Sequence, residues 1–538
     1  MTFIRVQKGR KDAEGNFIGG SASLVDCVYQ SGSNNPYKQV MVESLGRIIF
    51  LDSNRKKGSF LSKTRGLVEY DVNTGIFTPV SDPSLGEEFC DFRPAETVFG
   101  DTYAVLEMMR KSGLVRILNK ISDSDFFTEK LFCHTVFGVL KNGTKITCDR
   151  FIERSFLSSV FQLRPSSLGT DSNYFKKMGS FDMRKLFFKA FVQLMRERNP
   201  DFGTACYVDS TPLDNSIRNL PTNRLCSHGL DAVGVQTRLA LVLDRGTGLP
   251  VWYDIFPGNV PDVSTIDRIS GDVGEYLGVK ISDLVLDAGY VRKELVSKYS
   301  IGSEDRSLIA RMPDRYGYGL KSIFNKYRNQ FSNGKYHFVR ENHTYFGKKH
   351  LHEIFGHQVY AYVYLDSENA NSAFRDYMSE KREEYDKMSM GEKNWTRYRG
   401  GFFILISNLD RTPAEILDDY FGRAFIETVF KTEKEYLNLL PLCKNNEDTV
   451  NGKILQDIIS TIVYMGIRSK CRPIGRSVAD VMWDLQYLKA FRKSDGLLHM
   501  SIYNKQARET LELFDVKPVQ IINSGTYRNT LICSNDCI

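Results

Sequence analysis

Three carboxylic acids occupy positions in the sequence from which they could bind a metal ion. Asp209 ends the apolar segment YVD, Asp287 ends LVLD, and Glu427 lies within a helical segment. Acids at the ends of buried strands reach the sheet edge where α/β proteins gather their ligands and catalytic groups. Mg²⁺ prefers such carboxylate oxygens. Two ions held there could activate a water or a 3′-hydroxyl for phosphoryl transfer.

Each acid also has an ordinary structural explanation. An aspartate after an apolar strand often caps a turn or a helix, and Asp244 in LVLDRGTG has much the same context as Asp209. Glu427 could be a glutamate on any helix surface. The positions of the three acids alone therefore leave both interpretations open.

The helical segment around Glu427 carries a more specific pattern. Its start is predicted at residues 412–415, TPAE, where a threonine N-cap, a proline and a glutamate form a capping box. At about 100° per residue, Tyr420, Arg423, Glu427 and Lys434 fall in a stripe roughly 60° wide. The acid could hold a metal ion while the bases contact DNA phosphates. A polar stripe with i,i+4 ion pairs would look the same.

Sequence periodicity indicates which elements position these residues. Short alternating runs near the start predict strands, and apolar spacing of three or four residues predicts helices further on. Strands then alternate with helices from about residue 203. The predicted regions are a small β-rich module (1–85), a helical, DNA-binding region (90–200), an α/β core in two parts (203–304 and 401–470), a β-rich insertion (305–400) and a carboxyl-terminal region (471–538).

Positive charge is concentrated in the predicted insertion. Residues 306–349 contain ten Lys or Arg residues against two acids, while the whole chain carries a formal net charge of +7. Tyr and Phe residues alternate with these basic groups, a mixture that suits a phosphate backbone with exposed bases. A β-rich module with a solvated basic face is an equally good explanation.

Other features of the sequence narrow the functional class. Ten scattered cysteines form no Cys-x-x-Cys pair, which favours reduced thiols. His350, His352 and His357 lack further residues that would complete a zinc spacing, so we expect ordinary strand residues. There is no phosphate-binding loop that would indicate ATP use. No apolar run suits a membrane span or signal peptide, so we expect a cytoplasmic location and no membrane partner.

The stripe matches a known signature. Y-x2-R-x3-E-x6-K is typical of bacterial and archaeal DDE transposases of the family named after insertion sequence four, and the chain reads Tyr420-FG-Arg423-AFI-Glu427-TVFKTE-Lys434. YVDST, the order D-x-G-x3-P to PGN-x2-D (Asp244 to Asp262), and LVLDAGY also resemble that family. The resemblance covers most of the chain and is strongest over residues 203–440.

This resemblance implies a fold and a set of site residues. The fold would be α/β, with an RNase H-like core of a mixed five-stranded sheet flanked by helices and split by the insertion. Asp209, Asp287 and Glu427 would be the catalytic, metal-binding triad. Tyr420, Arg423 and Lys434 would contact DNA. Some relatives open a DNA hairpin and stack a tryptophan on a flipped base; Trp395 is the nearest candidate, with Arg397 beside it, although packing is the commoner role.

The implied activity is metal-dependent cleavage at the ends of a mobile element followed by strand transfer into target DNA. Mg²⁺ is the expected cofactor, with Mn²⁺ as a substitute. Double-stranded DNA is the expected partner, with a homodimer on paired element ends and association with the nucleoid. Two alternatives remain: an inactive or domesticated DNA-binding protein, and a metal-dependent nuclease that does not join DNA.

Overall fold

The structure is a computed structural model of the 538-residue chain, which separates into two compact units, residues 1–95 and 96–538. It describes residues 2–29, 37–62, 66–79, 96–140, 147–161, 171–217, 220–226, 234–260, 265–303, 306–314, 318–432, 434, 439, 440, 442, 444, 446–493 and 495–532.

The first unit is an antiparallel sheet around a small apolar core. Its alternating sequence places one set of side chains inside, among them Ile4, Leu24, Ile48 and Phe60, all nearly inaccessible to solvent. The strands are β1 (Thr2–Gln7), β2 (Arg10–Lys11), β3 (Phe17–Ile18), β4 (Ser21–Tyr29), β5 (Tyr37–Leu51), β6 (Lys57–Ser62), β7 (Gly66–Asp71) and β8 (Ile76–Pro79).

The second unit begins with a short strand and a set of helices. Apolar faces of these helices pack together and against a long later helix, α15. The elements are β9 (Glu96–Val98), α1 (Gly100–Lys111), α2 (Leu114–Lys120), α3 (Asp125–Leu140), α4 (Cys148–Arg154), α5 (Leu157–Val160), α6 (Ser172–Met178), α7 (Phe181–Arg198) and α15 (Glu447–Cys471).

Strands and helices alternate in the middle of the chain. The first set is β10 (Ala205–Asp214), β11 (Arg224–Cys226), β12 (Gly234–Asp244), β13 (Pro250–Pro257), α8 (Ile266–Leu277), β14 (Asp283–Leu286), α9 (Lys293–Lys298) and β15 (Ser307–Arg311). The second set is α10 (Leu320–Tyr327), β16 (His337–Arg340), β17 (His343–Ile354), β18 (His357–Asp366), α11 (Ser367–Asp386), α12 (Met390–Tyr398), β19 (Phe402–Ser407), α13 (Pro413–Phe421) and α14 (Ala424–Lys431).

All strands of this middle region belong to one mixed sheet. Its order is β13-β12-β10-β14-β15-β19-β18-β17-β16, with β11 also on β12. Strands β14 and β15 run parallel to β10, whereas β12 is antiparallel to β10 and β13 is antiparallel to β12. Strand β19 joins β15 to β18 by antiparallel pairing, so β18, β17 and β16 extend the same sheet.

Helices cover both faces of the sheet near β10. Ser210 on β10 lies opposite Ala240, which lies opposite Asp254 on β13, and Arg184 of α7 donates a hydrogen bond to Asp254 at 3.0 Å. Side chains alternate along a strand, so Asp209 projects from the other face. On that face it accepts a hydrogen bond from Arg423, which immediately precedes α14.

The carboxyl-terminal segment packs onto the helical region. Strands β20 (Lys489–Arg492), β21 (Leu498–Met500) and β22 (Ile521–Ile522) form a small sheet with β9, and α16 (Val478–Gln486), α17 (Lys505–Leu513) and α18 (Ser524–Leu531) accompany them. In the part of the chain that the structure describes, no helix is both long and apolar enough to span a membrane.

The prediction of a mixed α/β protein is confirmed. Two details differ from the sequence interpretation. The stripe was expected on one helix, but Gly422 and Arg423 separate α13 from α14. The segment 307–311, expected within an insertion, is a strand parallel to β14. The predicted region boundaries remain predictions.

Candidate active site

Parallel pairing of β10 and β14 places two of the predicted acids at the same level. Tyr207 pairs with Val285, and two residues further along each chain stand Asp209 and Asp287. The apolar residues just before both acids are buried, which fixes the strands in the core. Asp287 follows the last residue of β14 and begins the 3₁₀ turn Ala288–Tyr290.

The signature residues lie against these two acids. Arg423 donates from Nη1 to Oδ2 of Asp209 at 2.7 Å and from Nη2 to Oε1 of Glu427 at 3.1 Å. Tyr420 donates from its hydroxyl to Oδ1 of Asp287 at 3.3 Å. The guanidinium carbon of Arg423 lies 5.7 Å from the centre of the Tyr420 ring. All three acids therefore belong to one connected cluster.

Lys434, the last residue of the signature, contacts strand β10, which also carries Asp209. Its Nζ donates to the Thr211 hydroxyl at 2.6 Å and to the Pro212 carbonyl at 2.9 Å. Thr211 is two residues beyond Asp209, so it projects from the same face of β10. The cation of Lys434 thus borders the acidic cluster.

The electrostatics of the cluster favour charged Arg423 and neutral Tyr420. Burial lowers the pKa of the Arg423 guanidinium, but the negative groups around it, Asp209 foremost, outweigh burial and leave this pKa raised. Burial, assisted by Asp287, raises the pKa of the Tyr420 hydroxyl despite the opposing effect of Arg423. Tyr420 therefore stays protonated at neutral pH and remains a hydrogen-bond donor.

The donor set suits a divalent cation. Carboxylate oxygens are the ligands that Mg²⁺ prefers, and a positive guanidinium already lies between Asp209 and Glu427. Glu427 keeps 62% of its side chain exposed, which leaves it room to turn toward an ion. With Arg423 between them, the triad oxygens do not all lie within 4.8 Å of one another among the described residues.

A second group of possible ligands has a structural role. Donor atoms of His343, Asp366 and Glu368 do lie within 4.8 Å of one another. However, Asp366 caps α11 by accepting from Asn369, and both of its oxygens also contact His343. Glu368 accepts from the Thr344 backbone at 2.7 Å. These hydrogen bonds explain why the three side chains lie close together: they form a network that caps α11.

Trp395, the residue predicted to stack on a DNA base, packs against other aromatic rings of the protein. The ring of Trp395 lies 4.9 Å from that of Phe324, edge to face, and 6.1 Å from that of Phe402. Lys321 approaches the Trp395 ring at 5.9 Å. Arg397 is exposed on the same helix, α12. Stacking of Trp395 on a base and contact of Arg397 with DNA stay predictions.

The aromatic residues of the basic stretch are mostly buried. Phe324, Phe331, Tyr345 and Phe346 lie in the core, none more than 6% exposed. The sequence does not show which rings are buried. Aromatic and basic residues alternate both in a strand that buries one face and in a surface that binds nucleic acid. A solvated basic face over an aromatic core describes the stretch better than a platform for stacked bases.

Sequence reasoning missed residues that hold the signature helix in place. Arg245, in the turn after β12, lies 3.5 Å from Asp419 of α13, and Arg411 contacts the same carboxylate at 3.0 Å. Asp244, which resembled Asp209 in sequence, is buried and accepts from the Gly203 and Thr247 backbones. Because β12 is antiparallel to β10, Asp244 lies opposite Cys206, three residues before Asp209 on β10.

Gly422 permits close contact between the signature segment and β10. A Cβ at this position would overlap the buried Tyr207 hydroxyl and lie 3.0 Å from the Tyr207 Cζ. We expect Gly422→Ala to lower the free energy of unfolding by about 1–3 kcal/mol, the usual cost of overpacking. Urea denaturation measures it.

Gly271→Ala in α8 provides the matched control. A Cβ there meets nothing within 4 Å, so alanine should raise helix stability by up to about 1 kcal/mol. Equal stability of Gly422→Ala and the unchanged protein would mean that the segment can move away from Tyr207 without cost.

Comparison with known proteins agrees with part of this picture. Residues 233–461 match the model of the family described as transposase DDE domain, a range that includes Asp287 and Glu427 and begins after Asp209. No curated protein matches the chain. Among solved structures, a piggyBac transposase in a cryo-EM synaptic complex with hairpin DNA is 12% identical, with a TM-score of 0.37 over 80% of this chain and 84% of that one. Residues 233–461 are therefore similar to a transposase DDE domain.

Proposed function

We propose that the protein is a transposase of the family named after insertion sequence four, which cuts DNA at element ends and joins them to target DNA. The observation that carries this proposal is the single cluster formed by Asp209, Asp287 and Glu427 with Tyr420 and Arg423. At the edge of this cluster, Lys434 contacts Thr211, which lies 223 positions earlier in the chain.

The strand order supports an RNase H-like core. Strands β13-β12-β10-β14-β15 give a mixed five-stranded arrangement. Asp287 lies just beyond the end of β14, and Asp209 lies two residues beyond the last residue of β10 that pairs with β14. Helices on both faces complete such a core. Strands β16 to β18 would then form the insertion between the second and third acids.

Asp209, Asp287 and Glu427 would hold Mg²⁺, with Mn²⁺ as a substitute. Two such ions supply an activated water or 3′-hydroxyl and stabilise the leaving oxygen. Tyr420 orients the Asp287 carboxylate through its hydrogen bond. Arg423 and Lys434 would contact DNA phosphates beside the acids, and Arg397 would contact DNA from the insertion. Because two element ends must be joined together, we propose a homodimer on DNA, acting in the cytoplasm at the nucleoid.

An assay on labelled element-end DNA tests this function. With Mg²⁺ and target DNA we expect cleaved ends and then joined products, because the metal-bound acids would serve both steps. EDTA should remove both products, whereas DNA binding should remain detectable. Binding without cleavage would identify an inactive DNA-binding protein, and cleavage without joining would identify a nuclease; either result would contradict the proposal.

A further inference from the structure

Arg423 makes two contacts that compete with the role proposed for it on DNA. Its two terminal nitrogens separately bind Asp209 and Glu427, and only 14% of its side chain is exposed. The planar guanidinium suits this bridging, since its donors point in fixed directions. While it bridges the acids, the same donors cannot bind a phosphate.

The neighbouring cation, Lys434, donates hydrogen bonds to the Thr211 hydroxyl and the Pro212 carbonyl. Arg423 itself forms ion pairs with two of the three acids. In the absence of a divalent ion it offsets the repulsion between Asp209 and Glu427.

We propose that Arg423 is an exchangeable counterion, which neutralises the acids in the metal-free protein and transfers to a DNA phosphate when divalent ions bind. This inference rests on the proposed function. Each ion that binds the acids releases the guanidinium, and each phosphate that binds the guanidinium frees the acids. Metal affinity and DNA affinity must then raise each other by the same factor, because binding linkage is reciprocal.

Titration calorimetry with Mn²⁺ alone, on the full chain without DNA, tests the first half. Arg423→Gln removes the competing cation, so we expect Mn²⁺ to bind roughly ten-fold tighter or more, equivalent to about 1.4 kcal/mol. Arg423→Lys keeps the charge but cannot bridge both acids. Its Mn²⁺ affinity should lie between those of the unchanged protein and Arg423→Gln. Arg528→Gln is the matched control, because Arg528 in α18 likewise bridges two acids, Asp125 and Glu129, outside the proposed site. The Mn²⁺ affinity of this variant should be unchanged.

Repeating the titration with bound element-end DNA tests the second half. DNA should tighten Mn²⁺ binding to the unchanged protein and have much less effect in Arg423→Gln. Equal Mn²⁺ affinity of Arg423→Gln and the unchanged protein, or equal enhancement by DNA, would overturn the counterion role.

Asp287→Asn separates this result from failure of the proposed function. Asp287 accepts from Tyr420 and makes no hydrogen bond to Arg423 in the structure. If Asp287→Asn weakens Mn²⁺ binding while Arg423→Gln does not change it, the acids bind metal and only the counterion inference fails. If Mn²⁺ binds Asp287→Asn as tightly as the unchanged protein, the proposed metal site itself is wrong.

Discussion

Replacement of Glu427 by glutamine is expected to lower DNA cleavage by about a thousand-fold or more, since metal ions contribute several kcal/mol to such transition states. The amide keeps the size of the side chain but loses the negative charge that would hold the ion. Glu427 is 62% exposed and makes one ion pair, with Arg423, so folding should be almost unaffected. Cleavage of labelled end DNA and a gel-shift assay measure the two effects.

Glu509→Gln is the matched control. Glu509 is also 62% exposed and pairs with a basic residue four positions away, Lys505, at 3.7 Å. Surface pairs of this kind contribute less than about 1 kcal/mol, so this variant should cleave normally. Normal cleavage by Glu427→Gln would remove Glu427 from the mechanism, and loss of DNA binding would show that its role is not confined to the chemical step.

Replacement of Gly452 by alanine is expected to destabilise the second unit by about 3 kcal/mol or more, the upper range for overpacking. At this position α15 contacts α6 closely. A Cβ would overlap the Phe175 carbonyl oxygen, lie 2.8 Å from its carbon, and lie 3.0 Å from the Gly179 nitrogen. These are backbone atoms, so no side-chain rotation relieves the clash. Thermal and urea denaturation measure the loss.

Gly466→Ala on the same helix separates packing from helix propensity. A Cβ at Gly466 meets nothing within 4 Å, and alanine is favoured over glycine in helices by up to about 1 kcal/mol. We therefore expect Gly452→Ala to lower the free energy of unfolding and Gly466→Ala to raise it. Stabilisation by both would show that α6 and α15 can separate at little cost.

Local patterns in the sequence predicted much of the site. The capping box at Thr412 and Glu415 forms as expected, because it depends only on neighbouring residues. Asp209 and Asp287 could be singled out because each follows a run of apolar residues. In the structure Asp287 does follow the end of β14, whereas Asp209 lies within β10. The mixed α/β character followed from the change of periodicity along the chain.

Long-range contacts were beyond such patterns. Asp209 and Asp244 have similar neighbours, and only strand direction, which depends on the whole sheet, separates a site acid from a turn acid. The parallel pairing of β15 with β14 joins residues that are distant in the sequence, so no local sequence pattern predicts it. The need for a glycine at position 422 likewise depends on a distant residue, Tyr207 of β10.

The continuity of the sheet through β19 affects how the protein could meet DNA. Strand β19 is hydrogen-bonded to β15 on one side and to β18 on the other, and Tyr364 of β18 donates to the Pro413 carbonyl of α13 at 2.7 Å. Strands β16 to β18 therefore belong to the same continuous hydrogen-bonded sheet as β10 and β14, which carry Asp209 and Asp287. If a DNA duplex contacted both regions, it would have to bend to follow this sheet. We therefore expect a preference for DNA sequences that bend easily, even at base pairs that the protein does not contact.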